Sequence, residues 1–195
     1  MNEADQIIQA RQGTATVNIA AWATLVSQHQ DALFRLAYLM VGDADEAEDV
    51  AQEAFIRAFY ALDRFDSTRP LRPWLLQIVR NLAHNRRRSV RRYLATVGRW
   101  WQTAAMSEAA PTIAEPTGII REQKAQELWQ AVQQLAASDQ EVIYLRYFLE
   151  LSVADTAVTL GVAEGTVKSR LSRALVRLRS VVEREFPGLQ REGAV

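Results

Sequence analysis

"SVADTAVTLGVAEGTVKSRLSRAL", residues 152–175, decides how this chain folds. A short apolar-patterned helix runs to Leu160-Gly161, a turn follows through Gly161-Val162-Ala163, and a second helix begins. Ala157 stands four residues before Gly161 and Val167 six after it. A helix-turn-helix needs this set of residues. It wants a small side chain where the two helices touch, a glycine able to take a positive φ in the turn, and a β-branched anchor in the second helix.

The second helix is unusually basic. Residues 164–179, "EGTVKSRLSRALVRLR", carry five basic residues and one acid. Projected at about 100° per residue, Val167, Leu171, Leu175, Leu178 and Val182 form one stripe, which reads as the core side. Ser169, Arg170, Arg173 and Arg177 fall opposite, with Lys168 and Ser172 at the flanks. Arginine grips guanine edges or phosphates through two hydrogen bonds, and serine lets the backbone approach a duplex closely. Thr166, Lys168, Ser169, Arg170, Ser172, Arg173 and Arg177 are therefore the expected duplex-DNA contacts. The alternative is a solvated face, which more often mixes lysine with glutamate and glutamine.

Working outward, the net charge of zero conceals segregation. Residues 31–66 hold nine acids and three bases, and residues 67–100 hold nine arginines and no acid. Residues 101–165 return to nine acids and three bases, and residues 166–184 to six bases and one acid. Two separated basic blocks suit two contacts with one polyanion. Nearly half of the 195 residues are apolar, 49%, so a folded core is expected. There is no cysteine, which excludes disulfides and thiolate metal sites. His29 and His84 lie far apart, so no zinc site, metal or cofactor is expected. No signal peptide and no membrane span are visible, and a cytoplasmic location is expected.

Every periodic segment is helical. "WATLVSQHQDALFRLAYLM", residues 22–40, places Leu25, Leu33, Leu36 and Leu39 at helical spacing. Gly42 then terminates and Asp43 caps the next helix, "ADEAEDVAQEAFIRAFYALDRF". Its apolar series is Ala47, Val50, Ala54, Ala58 and Ala61, widened by Phe55, Ile56 and Phe59. "DSTRPLRP" interrupts, and Pro73 suits the first turn of a long helix that is apolar early and basic late. Pro111, Pro116 and Gly118 mark a linker. Beyond it come helices near 121–136, 139–149 and 153–160, then the basic helix. The expected fold is all-α: two small helical domains joined by a flexible linker, the C-terminal one holding the helix-turn-helix. The expected boundaries are a tail 1–19, a domain 20–95, the linker 96–120, a domain 121–186 and a tail 187–195. Trp100-Trp101 at the linker's start read equally well as a cover for the first domain or as a partner contact.

The chain resembles the bacterial RNA polymerase sigma factors of the extracytoplasmic-function (ECF) group. "EGTVKSRLSRAL" is close to the signature of their promoter-binding C-terminal domain. "EAEDVAQEAFIRAF", residues 46–59, is similar to their polymerase-binding helix, and "RPWLLQIVRNLAHNRRR" to their promoter-melting helix. The resemblance implies that Asp49, Gln52, Glu53 and Ile56, which share one helix face, dock on a coiled coil of the polymerase's largest subunit. It implies that the loop Asp66, Ser67, Thr68 and Arg69 captures a flipped base of the downstream promoter element. Asn81, Asn85, Arg86 and Arg88 would then follow the single strand, offsetting an unstacking cost of a few kcal/mol. Pro70 and Pro73 depart from the family's more polar loop. Trp74 reads as a core residue or as a stacking platform. The implied partners are core RNA polymerase, promoter DNA in duplex and single-stranded form, and an anti-sigma factor. The rival reading is a helix-turn-helix regulator that is not a polymerase subunit. An enzyme is not expected, since no glycine-rich phosphate loop or nucleophile elbow is present.

Overall fold

The computed structural model describes residues 19–97 and 119–190, and all regular structure in them is helical. The helices are α1 (Ile19–Val41), α2 (Ala44–Ala61), α3 (Leu71–Val97), α4 (Ile119–Gln133), α5 (Ala137–Ile143), α6 (Val153–Leu160) and α7 (Glu164–Glu185). They form two compact units. One is built on α1–α3, the other on α4, α5, the start of α6, and α7. Residues 1–18 and 191–195 and the Trp100-Trp101 pair lie outside the described residues, whereas Pro187–Gln190, expected in the C-terminal tail, form a 3-10 turn.

In the first unit the three helices pack on one another. Gly42 ends α1 at φ +83°, donating its N–H to the Tyr38 carbonyl at 2.8 Å. Asp43 then starts α2 by accepting the Glu46 N–H at 2.9 Å, a cap that contributes about 1 kcal/mol. The buried side of α2 is almost all alanine: Ala47, Val50, Ala51, Ala54 and Ala58. Such small side chains let α2 lie close to the leucines of α1 (Leu25, Leu33, Leu36) and of α3 (Leu71, Leu75, Leu76). On α1 the buried stripe passes through His29, Ala37 and Met40, so Leu39, expected in the core, is only half-buried, as is Ala61 on α2. Phe55 and Phe59 meet Trp22 edge-on, with ring centroids 6.2 and 5.3 Å away. Trp74 is half-buried with its ring 4.6 Å from that of Phe65, which is a packing role.

The second unit is centred on α5. A buried glutamine, Gln140, donates to the Gln133 and Leu135 carbonyls at 2.8 and 2.9 Å, satisfying the end of α4. The α5 helix widens into a π turn, Tyr144–Phe148, with Trp129 stacked 5.8 Å from Tyr144. The chain leaves that turn through Glu150, which takes the left-handed φ of +54°. Ser152 and Asp155 then open α6 as a reciprocal cap, at 2.9 Å and 2.7 Å.

The turn between α6 and α7 has the expected glycine geometry. Gly161 takes φ +67°. Its N–H donates to the Val158 carbonyl at 3.1 Å, and the Val162 N–H to the Ala157 carbonyl at 3.0 Å. This paired closure satisfies the last carbonyls of α6 and needs a residue without a Cβ penalty at position 161.

Candidate functional site

The α7 helix buries Val167, Ala174 and Val181, while Leu171, Leu178 and Val182 are half-buried and Leu175 and Val176 are exposed. The buried face is thus turned by roughly 60° from the stripe expected from sequence. Leu175, expected in the core, is not there. The cause is Ala174. It is fully buried on the helix that packs against α5, and the bulkier leucines lie to its sides. The rotation leaves Lys168, Ser169, Ser172 and Arg173 exposed and Thr166 and Arg170 half-buried.

Two arginines of this face have internal partners. The Arg173 Nε donates to the Ser169 carbonyl at 3.2 Å, and the residue is exposed. Arg177 instead reaches the carboxylate of Asp139, an α5 residue whose side chain is only 3% exposed. Arg177, expected among the DNA contacts, is thus tied into the fold by an acid, Asp139, that the sequence does not mark out. The signal available was an acid inside a helix otherwise turned to the core. At the far end of α7 the Gln134 amide donates to Glu185. That bond, and then Arg184, holds the Glu185 carboxyl below the usual carboxylate range.

In the first unit, Asp49, Gln52 and Ile56 are exposed and Glu53 half-buried on one face of α2. Local bonds order them. Gln52 donates to Glu48 at 3.1 Å, and Arg57 donates to Glu53 at 2.7 Å. Together with Leu82, Asn85 and Arg86 of α3 they line a shallow groove of about 660 Å³ between α2 and α3. Ile56, counted in the apolar stripe from sequence, is 52% exposed. One turn further, Tyr60 is 79% exposed, a residue that sequence reasoning passed over.

The loop before α3 is organised by Asp66. Its carboxylate accepts the Thr68 N–H at 3.0 Å and the Thr68 hydroxyl at 2.7 Å, and it pairs with Arg69 at 3.5 Å. The Arg69 N–H also donates to the Asp66 carbonyl at 3.0 Å. This is an Asx turn, with Thr68 and Arg69 presented to solvent and Ser67 half-buried. On α3, Asn81, Asn85 and Arg88 are exposed and, at helical spacing, share one face. Arg86 is turned toward α2, 3.3 Å from Asp49 and 3.8 Å from Glu46. The structure therefore separates Arg86 from the three residues grouped with it by sequence.

Among the described residues no group of three or more His, Asp or Glu side chains is placed to hold a metal ion. Nor is any described helix long and apolar enough to cross a membrane.

Residues 25–93 match the Sigma-70 region 2 family and residues 125–178 the Sigma-70 region 4 family. Likenesses over most of the chain agree. The chain is 35% identical over 175 residues to the ECF RNA polymerase sigma factor SigL of Mycobacterium tuberculosis, covering 88% of this chain and 94% of that one. It is 33% identical over 163 residues to the ECF RNA polymerase sigma factor SigW of Bacillus subtilis, covering 82% and 87%. Among solved structures it is similar to the sigma factor RpoE of Bartonella quintana in complex with the anti-sigma factor NepR. The TM-score there is 0.67 at 26% identity, over 84% of this chain and 97% of that one.

Proposed function

The chain belongs to the ECF group of RNA polymerase sigma factors, and from that membership we infer how its surfaces divide the work of initiation. As a sigma factor it binds core polymerase, directs it to specific promoters and takes part in opening promoter DNA. The acid-rich face of α2, with Asp49, Gln52, Glu53 and Ile56, docks on the core. Its negative charge suits a basic partner and steers encounter, while Ile56 adds an apolar contact that excludes water.

The exposed Asn81, Asn85 and Arg88 of α3 follow the opened strand. An asparagine amide offers both donor and acceptor to a base edge, and the arginine holds phosphate. The Asx turn at Asp66 gives the preceding loop a fixed shape, so Thr68 and Arg69 meet a flipped base without a further ordering cost. In this arrangement Asp66 shapes the loop, while Thr68 and Arg69 make the contacts. In the second unit, Lys168, Ser169, Ser172 and Arg173 face the upstream duplex. Arg170 contributes from the edge, and Arg177 chiefly holds α7 against α5.

The boundaries 20–95 and 121–186, with 96–120 as a tether, assign one promoter element to each unit. RpoE of Bartonella quintana is held by an anti-sigma factor, and a partner of the same class restrains this chain. The observation that carries the reading is the exposed acid stripe of α2 beside the asparagine–arginine face of α3. The test is transcription from closed and from pre-opened promoter templates with Asn81→Ala and Asn85→Ala. Impairment confined to the closed template supports strand capture. Equal impairment on both assigns the face to general phosphate contact instead.

A further inference from the structure

The α2 docking face does not end at Ile56. Taking Asp49 as the origin at about 100° per residue, Gln52, Glu53, Ile56 and Tyr60 all fall within about 60° of it, and Tyr60 lies near the middle. Tyr60 is also the most exposed large apolar residue among those described, at 79%. It is not a loose side chain. Its ring meets Phe59 edge-on at 5.6 Å, and Phe59 in turn rests 5.3 Å from Trp22. Isolated apolar residues on a surface are ordinary, but Ile56 and Tyr60 are adjacent turns of one stripe and make a continuous apolar end to an acidic face.

We propose that Tyr60 is a further core-polymerase contact, the aromatic anchor at the apolar end of the α2 docking face. The inference rests on the docking role assigned above to Asp49, Gln52, Glu53 and Ile56. The surface it fits is a helical one that presents basic side chains opposite Asp49 and Glu53. Beyond them it offers an apolar or guanidinium-bearing patch opposite Ile56 and Tyr60. Continuity with the acid stripe argues for this occupant. So does chemistry: tyrosine and arginine are the residues that most often carry interface energy, and a ring already held by its neighbours loses little freedom on docking.

The experiment measures the affinity of the full chain for core polymerase. The variants are Tyr60→Ala, Tyr60→Phe and Tyr60→Gln, with Asp49→Lys as the control for the face as a whole. Tyr60→Ala and Tyr60→Gln are expected to weaken binding by about five- to thirtyfold, and Tyr60→Phe by far less. Glutamine keeps helix propensity, so it answers the question if the alanine variant loosens the fold. If Asp49→Lys leaves affinity unchanged, the docking face itself is wrong. If Asp49→Lys weakens binding and neither Tyr60→Ala nor Tyr60→Gln does, the face stands and the role of Tyr60 is overturned. Sedimentation of the free chain gives the remaining outcome. Self-association abolished by Tyr60→Ala, with core affinity unchanged, would make this end of the face a contact between copies of the chain and would also overturn the proposal.

Discussion

The guanidinium of Arg86 lies 3.3 Å from the carboxylate of Asp49, so a residue of α3 is held by one of the α2 residues proposed above to dock on polymerase. Both side chains are substantially exposed, and such a pair contributes only about 0.2–1 kcal/mol to folding. Asp49→Lys with Glu53→Lys is therefore expected to leave the thermal midpoint within a few degrees of wild type while abolishing core binding. Circular dichroism melts and a polymerase binding assay check this. Loss of the helical signal along with binding would make the pair structural and remove the support for docking.

Arg173 and Arg177 sit one turn apart on α7 yet should behave differently. Arg173 keeps its terminal nitrogens free of the Ser169 carbonyl that its Nε reaches. Arg173→Ala is expected to weaken duplex promoter binding by about 1–3 kcal/mol and to relax selectivity at one base pair. Arg177→Met should weaken binding to all sequences alike, through the fold. Competition binding across single-base promoter variants separates the two. Retained wild-type selectivity in Arg173→Ala would mean that the wrong face of α7 has been assigned to DNA.

The same ion pair makes an asymmetric stability forecast. Removing Arg177 leaves the buried Asp139 carboxylate without its cation, which costs about 3 kcal/mol, the low end for such pairs because Arg177 is partly solvated. Removing the charge with Asp139→Asn strands only a guanidinium that can turn to water. Urea unfolding should therefore rank Arg177→Met as the more damaging change. The reverse order would contradict a buried, arginine-dependent carboxylate.

Glu150 occupies a left-handed backbone position, φ +54°, where an L side chain is strained. Glycine removes that strain but gains freedom in the unfolded chain, so Glu150→Gly is expected to stabilise by about 0.5–1 kcal/mol net. A rise in the thermal midpoint of a few degrees is the readout.

Much of this was legible in the sequence because the signals are local. Gly42 and Asp43, Gly161 and the first-turn Pro73 set helix ends by backbone chemistry that no distant contact overrides. The rotation of α7 was not legible. Apolar periodicity weights Leu175 above Ala174, whereas packing against α5 selects the small residue. The Asp139–Arg177 pair was hidden for a related reason, since an arginine on a basic face gives no sign of an acid reached through the fold. Arg86 likewise belongs by sequence to the strand-following group and by geometry to α2. Tyr60 was legible in principle, because it repeats the spacing of Ile56, but exposure rather than pattern gives it weight.

This chain confers promoter-specific initiation on core polymerase. The most direct test is transcription from a randomised-promoter DNA library by core enzyme with and without the purified chain. Transcripts that require the chain should share two promoter elements, an upstream one relaxed at one base pair with Arg173→Ala and a downstream one weakened with Asn81→Ala. All of them should vanish with Asp49→Lys and Glu53→Lys. Sequence-selective duplex binding by the chain, with no chain-dependent transcripts from core polymerase, would contradict the account and leave a helix-turn-helix regulator in its place.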